Sequence, residues 1–273
     1  PWLPVSDLIA EHASNLAKMD TDGLMLSWSL GGYPSPNLEI AHAFAKNPKA
    51  NPEAVLTELA TERYGKAAAP FARQAWSAFS NAFREFPYGG SVVYNAPQQY
   101  GPANLLFAEP TGYASTMVGF PYDDLTGWRS IYPAAVFAKQ FEKVAQGWKA
   151  GLGFFDKMMA VVEADKQAIA KEDLGVAKAA WLHFASVANQ VQFIIARDSI
   201  RNNHLTPSEK KIQLTQINSI LNNEMQLAKA LFEITQSDSR IGFEASNQYY
   251  CVPQDLMEKV INCEFIRSQM GAM

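Results

Sequence analysis

The run AAWLHFASVANQVQFIIA, residues 179–196, contains no charged residue and is long enough for about five turns of helix. A helix that spans a bilayer needs about 20 predominantly apolar residues. This run is instead interrupted throughout by polar side chains, namely His183, Ser186, Asn189, Gln190 and Gln192. The sequence therefore predicts a helix buried in a protein core, with His183 as a hydrogen-bonded core histidine.

Helical patterns continue from this run in both directions. Thr206-Pro207-Ser208-Glu209 is a capping box with Pro at the first helical position. Asn51-Pro52-Glu53 is a similar start, because Asn caps the helix and the acid complements its dipole. The patterns predict a mainly α fold, a helical bundle of about six or seven helices. The predicted helices cover residues 37–46, 51–64, 67–86, 133–162, 166–202, 207–236 and 253 onward.

Residues 87–133 interrupt the helical pattern. The segment is rich in proline, glycine and aromatic residues. Segments of this length without regular structure are usually functional or disordered, and aromatic side chains argue against disorder. We expect an ordered loop packed over other parts of the protein, within a helical domain that covers residues 37–273.

Residues 1–36 have a different pattern. Ser6 is positioned to cap a first helix, and LMLSW, residues 24–28, has the length and apolar character of a buried strand. Together with the following GGYPSP loop they predict one βα step of a parallel sheet. A lone strand needs partners for its backbone groups, so either it pairs with another copy or its sheet lies outside this chain. Because the chain opens with Pro1-Trp2, we expect the tail of a longer polypeptide.

The overall composition excludes several classes of protein. The chain has 273 residues and a formal net charge of −4, which argues against nucleic-acid binding through a basic face. Cys251 and Cys263 are too few to staple a chain of this length and are expected to be free thiols. The histidines form no ligand-spaced pair, and no nucleotide-binding or nucleophile motif is present. No metal or cofactor is therefore expected.

Several residues are candidates for binding a carbohydrate. Trp28 would lie at the carboxyl end of the predicted strand, where barrel enzymes hold their sites, and would give a flat floor for a sugar ring; Tyr33 lies in the loop that follows. Glu39 is a further candidate, although an acid in a first helical turn more often complements the dipole. In the aromatic loop, carboxylates lie beside aromatic and basic groups at Asp123, Asp124, Trp128 and Arg129.

Alternative structural roles remain open for these positions. Trp28 would serve equally as a core residue. The pair Asp123-Asp124 could cap a turn. Arg240 and Glu244, four residues apart, are predicted to form an ion pair that locks the segment before the last helix.

Two segments resemble parts of large bacterial glycoside hydrolases. DGLMLSWSLGGYPS, residues 22–35, is similar to the last strand of a TIM barrel and the loop after it, and DSRIGFEASNQYY, residues 238–250, resembles the helical C-terminal region of such enzymes. The barrels of that kind are hexosaminidase-like or α-glucuronidase-like. The resemblance covers most of the chain and implies that residues 1–36 end a barrel whose catalytic carboxylates lie on earlier strands. No catalytic residue is therefore assigned here.

These observations lead to one main expectation and two alternatives. We expect a C-terminal helical accessory domain of a glycoside hydrolase, which packs on the catalytic barrel of the same full-length chain, contributes aromatic residues to carbohydrate binding and is inactive alone. The first alternative is a self-standing helical protein that binds a small molecule or carbohydrate without catalysis. The second is a helical interaction scaffold. Neither membrane nor nucleic acid is an expected partner.

Overall fold

Helices make up most of the chain in a computed structural model that describes residues 2–19, 22–26, 34–115, 119, 121–202, 204–244, 248–249 and 251–271. Within these residues, two strands of two residues each, β1 (Phe243–Glu244) and β2 (Gln248–Tyr249), pair with each other. The helices of the described part of the chain are α1 (Ser6–Ala17), α2 (Pro36–Lys46), α3 (Pro52–Tyr64), α4 (Ala69–Phe83), α5 (Gly90–Val93), α6 (Ala96–Tyr100), α7 (Leu125–Trp128), α8 (Ala134–Met159), α9 (Gln167–Asn202), α10 (Pro207–Ser237) and α11 (Pro253–Gly271).

The predicted helical bundle is confirmed, and local capping signals explain where α3 and α10 begin, whereas Ser6 lies inside α1 and does not cap it. The Asn51 side chain accepts a hydrogen bond from the backbone N–H of Ala54 at 3.1 Å, which starts α3. Thr206 and Glu209 form the predicted reciprocal capping box at the start of α10. No helix among the described residues is long and apolar enough to cross a membrane.

The predicted strand over residues 24–28 is not supported. Residues 23–26 have no regular secondary structure, and the side chain of Met25 is 94% exposed. A single strand is unstable because its backbone groups need hydrogen-bond partners, and no described segment pairs with residues 23–26. Ser27 and Trp28 lie outside the described residues.

The chain divides into two compact units, and the first comprises Pro1–Glu85, Gln146–Trp181 and Phe243–Gln248. It contains α1 to α4 with the end of α8 and the start of α9. Its core is aromatic, and the rings of Phe79 and Trp148 stack at 4.8 Å between centroids. Tyr64 packs against Trp76 and Phe155 in the same core.

The second unit comprises Phe86–Ala145, Leu182–Gly242 and Tyr249–Met273. In it α10 packs along α11, and the described residues of the aromatic segment 87–133 include α5, α6 and α7. Val92, Leu106 and Trp128 of that segment are buried. These three buried side chains show that described parts of the segment pack into a core.

Candidate functional site

Two of the sequence-predicted sugar-binding residues, Trp28 and Tyr33, lie outside the described residues. Glu39 lies in the first turn of α2 with its side chain 45% exposed, and it accepts a hydrogen bond from Arg63 Nη1 at 3.1 Å. Burial of part of this carboxylate raises the pKa of Glu39, and the nearby Arg63 opposes the shift. The prediction of a binding role for Glu39 stays a prediction.

Asp123 holds the aromatic loop together from inside. Its side chain accepts hydrogen bonds from the backbone N–H and the hydroxyl of Thr111, at 2.9 and 2.8 Å. It also lies 3.0 Å from Arg197 Nη1, in an ion pair whose two side chains are 4% and 1% exposed. A buried carboxylate with this many partners fixes the conformation of the loop and ties it to α9.

The next residues of the predicted cluster lie close by but in different environments. Asp124 is exposed and caps α7, accepting from the backbone N–H of Thr126 at 2.8 Å. Trp128 is buried at 1% exposure, and its indole N–H donates to the carbonyl oxygen of Pro121 at 2.7 Å. The indole ring of Trp128 is thus part of the core of the second unit.

Among the described residues of this loop, the exposed aromatic side chains are tyrosines. Tyr88, Tyr94 and Tyr113 are 77%, 60% and 63% exposed. The segment that carries Tyr88 is held by a hydrogen bond from the Tyr132 hydroxyl to the backbone carbonyl of Tyr88, at 2.8 Å. Asn95, which follows Tyr94, caps α6 and donates to the carbonyl oxygen of Val92 at 2.9 Å. Large aromatic rings are therefore presented to solvent on a fixed backbone.

Sequence reasoning did not single out Tyr88 and Tyr94 among the many aromatics of this segment. The available signal was local, since Tyr88 directly precedes Gly89-Gly90 and Tyr94 directly follows α5. Positions beside a turn or at the end of a short helix are commonly exposed. Composition alone cannot rank aromatic residues by exposure.

Arg240 has a partner different from the predicted one. Its Nε and Nη2 donate to the two carboxylate oxygens of Asp238, at 2.8 and 2.7 Å. This pairing lowers the pKa of Asp238, because the guanidinium hydrogen-bonds its charged form. The side chain of Glu244 is not described, so the proposed pair of Arg240 with Glu244 stays a prediction.

The second unit also contains a buried polar network that the sequence did not reveal. Lys259 and Glu224 are both 0% exposed, and Lys259 Nζ lies 2.8 Å from Glu224 Oε2. Ser186 donates to the same oxygen at 2.8 Å, and Asn189 donates to Glu224 Oε1 at 2.8 Å. Lys259 Nζ also donates to the carbonyl oxygen of Asn104.

Gln190 extends this network. Its amide nitrogen donates to Ser186 Oγ at 2.9 Å and to the carbonyl oxygen of Gly101 at 2.8 Å, and its amide oxygen accepts from Asn104 at 2.8 Å. Ser186, Gln190, Glu224 and Lys259 are completely buried, and Asn189 is half-buried. A site of this kind stabilises the fold and has no room for a substrate.

The two cysteine side chains lie in the interior of the protein. Cys251 and Cys263 are free and buried, as predicted. Burial raises the pKa of Cys251 to about 12 and that of Cys263 to about 11, which keeps both protonated and unreactive. Among the described residues, no group of three or more His, Cys, Asp or Glu side chains is arranged to hold a metal ion.

The chain matches no protein-family model, no characterised protein and no solved structure.

Proposed function

We propose that this chain is a helical accessory domain of a glycoside hydrolase, and that Tyr88 and Tyr94 of its aromatic loop bind carbohydrate. The observation that carries the proposal is the exposure of Tyr88 and Tyr94, at 77% and 60%, next to backbone that is held by hydrogen bonds from Tyr132 and Asn95. Exposed aromatic rings lose favourable packing unless a partner covers them. The resemblance of residues 22–35 and 238–250 to glycoside hydrolases supports a sugar as that partner.

Tyrosine suits this role for two physical reasons. The face of its ring packs against the C–H face of a pyranose, and its hydroxyl hydrogen-bonds with sugar hydroxyls or water at the rim. The backbone around Tyr88 is already fixed by the Tyr132 hydroxyl. A ligand therefore loses little free energy to ordering the loop when it binds.

Residues 24–26, near the start of the chain, support the proposed docking on a catalytic barrel. Leu24, Met25 and Leu26 are 44%, 94% and 58% exposed and have no regular secondary structure. A short extended apolar segment of this kind is suited to adding a strand to the edge of a partner's sheet. A self-standing carbohydrate-binding protein would require no such partner, so this segment favours the accessory domain.

Isothermal titration of the chain with a panel of oligosaccharides tests the binding proposal. The Tyr88→Ala/Tyr94→Ala double variant is expected to weaken binding at least about tenfold, because ring stacking is lost. The hydrogen bond from Tyr132 survives in this variant, since it uses the backbone carbonyl of Tyr88. Tyr113→Ala is the matched control, because Tyr113 is similarly exposed, and it is expected to bind like the wild type.

Two results would contradict the proposal. The first is the absence of binding to any member of a broad panel of neutral and charged oligosaccharides. The second is turnover of aryl glycosides by this chain alone, since an accessory domain relies on carboxylates that lie in the barrel. The same preparations serve both measurements.

A further inference from the structure

The Tyr88 surface, which we define as Tyr88, Tyr94, Arg129, Ile131 and Tyr132, is a connected patch of the second unit. The Tyr132 hydroxyl donates to the carbonyl oxygen of Tyr88 at 2.8 Å, and Arg129 Nη1 donates to the carbonyl oxygen of Tyr132 at 2.7 Å. The side chain of Asn95, which follows Tyr94, lies 3.5 Å from the carbonyl oxygen of Trp128, which precedes Arg129. These contacts bring α5 and the turn after α7 together.

The backbone of this turn has an unusual conformation. Ser130 has a φ of 51°, the only positive φ of a non-glycine residue among the described residues. Its side chain lies directly against Gly89, where an added Cβ would come within 3.0 Å of Ser130 Oγ. The turn leaves Ile131 88% exposed beside Tyr88. A strained turn that exposes a large apolar side chain costs stability, which points to a function at this place.

Arg129 gives the surface its charge. It is half-buried, and its side chain donates only to a backbone carbonyl, while none of the ion pairs of the described residues includes it. A guanidinium has five N–H donors, so most of its donors stay available to a ligand. Exposed tyrosine rings on the same surface as a guanidinium that has no ion-pair partner among the described residues fit a ligand with both an apolar ring face and an anion.

We infer that the Tyr88 surface binds saccharides that carry an anionic group, a carboxylate or a sulfate, with the anion held by Arg129 and a sugar face on the tyrosines. The inference rests on the proposed function and specifies that the bound carbohydrate is anionic. The contact between the half-buried Arg129 guanidinium and the anion also predicts that binding weakens as salt is added, because salt screens the exposed side of the guanidinium.

The experiment uses two matched pairs of ligands titrated into the full chain. One pair is oligogalacturonate and its methyl ester, and the other is dextran sulfate and dextran. The anionic member of at least one pair is expected to bind about tenfold more tightly at low salt, in line with the strength of charge-assisted hydrogen bonds. The pair that shows the preference identifies carboxylate or sulfate as the favoured group.

Three variants separate the Arg129 contact from general charge. Arg129→Gln is expected to abolish the preference for the anionic member, and Arg129→Lys to keep part of it. Arg84→Gln, at an exposed arginine of the first unit that is paired with Glu11, is expected to leave the preference unchanged. Circular dichroism establishes whether each variant is folded. If Arg129→Gln does not fold, the salt dependence of binding to the wild type tests the contact between Arg129 and the anion instead.

The outcomes distinguish the two proposals. Equal affinity for both members of each pair, or an anionic preference that survives Arg129→Gln or does not fall with salt, overturns the inference and leaves the proposed carbohydrate binding in place. Absence of binding to all four ligands and to the broader panel overturns both. That result would leave a protein as the partner that covers the exposed tyrosine rings.

Discussion

The ammonium group of Lys259 on α11 lies 2.8 Å from the carboxylate of Glu224 on α10, and both side chains are completely buried. Moving two charges out of water costs more free energy than their attraction returns, unless their remaining hydrogen-bonding groups are also satisfied. Here Ser186, Asn189 and the carbonyl of Asn104 satisfy them. The pair therefore ties two helices to the segment that carries Asn104.

Removing one member of this pair should be strongly destabilising. Glu224→Gln or Lys259→Met leaves an uncompensated buried charge, and the free energy of unfolding should fall by roughly 3–5 kcal/mol. Urea denaturation followed by circular dichroism measures the change. The Glu224→Leu/Lys259→Met double variant should lose much less than the sum of the single losses. Additive losses would show that the two groups are not coupled.

A second prediction concerns the close approach of Gly101 to His183. Gly101 has a φ of +50°, and a Cβ on it would lie 2.4 Å from the Nδ1 atom of His183. Gly101→Ala should therefore lower the free energy of unfolding by about 2–4 kcal/mol, through backbone strain and overpacking. Thermal or urea denaturation measures the loss.

The chain offers a matched control for this substitution. Gly153 lies within α8 and is exposed, and nothing lies within 4 Å of a Cβ built on it. Gly153→Ala should be neutral or stabilising by up to about 1 kcal/mol, because alanine favours the helix. If Gly101→Ala changed the free energy of unfolding no more than Gly153→Ala, the close approach of Gly101 to His183 would be contradicted.

A third prediction concerns stability against pH. Burial lowers the pKa of His183 from its ordinary value of 6.5 to about 4. The unfolded chain then binds a proton between these values that the folded chain does not, so stability is complete above pH 6.5 and is lost as pH falls towards 4. The loss from this group should be about 3 kcal/mol.

Urea denaturation at pH 7, 6 and 5 measures this dependence. His183→Asn should remove most of the slope between pH 6.5 and 5, where few carboxylates titrate. His204→Asn is the control, because His204 is exposed, and its slope should match that of the wild type. A wild-type stability that is flat over this range would mean that His183 ionises freely in the folded protein.

A fourth prediction compares two carboxylates that pair with the same arginine in the first unit. Asp173 is buried and accepts from Arg63 Nε at 2.6 Å and from the Tyr64 hydroxyl at 2.7 Å. Burial raises the pKa of Tyr64 well above its ordinary value, so its hydroxyl stays protonated and donates. Asp173→Ala should therefore cost about 3–5 kcal/mol.

Glu39→Ala removes the exposed partner of Arg63 and should cost less than about 1 kcal/mol. Parallel denaturation of the two variants makes the comparison. Equal losses would indicate that burial does not separate these two ion pairs.

Helix boundaries could be predicted from the sequence because the groups that set them are neighbours in the chain. Asn51 caps α3 through Ala54, and Thr206 caps α10 through Glu209. The strand predicted over residues 24–28 is not supported by its described residues, 24–26, for the opposite reason. Its apolar pattern was local, but a strand also needs a partner for its backbone, and that information is not local.

The candidate site shows the same division. Composition predicted that the aromatic segment is ordered, yet it could not tell that Trp128 is 1% exposed while Tyr88 is 77% exposed. The polar network was equally hidden, because Lys259 meets Asn104 across 155 positions of sequence. One signal did exist, since Lys259 falls on the buried stripe of α11 with Leu256, Cys263 and Ile266.

The seclusion of Lys259 has a practical use in the laboratory. An amine shut away from water is beyond the reach of acylating reagents and modifying enzymes for as long as α10 and α11 stay together. Peptide mapping after brief acetylation would then label the surface lysines and spare this one. Any acetyl group found on Lys259 would report how often the pair of helices opens.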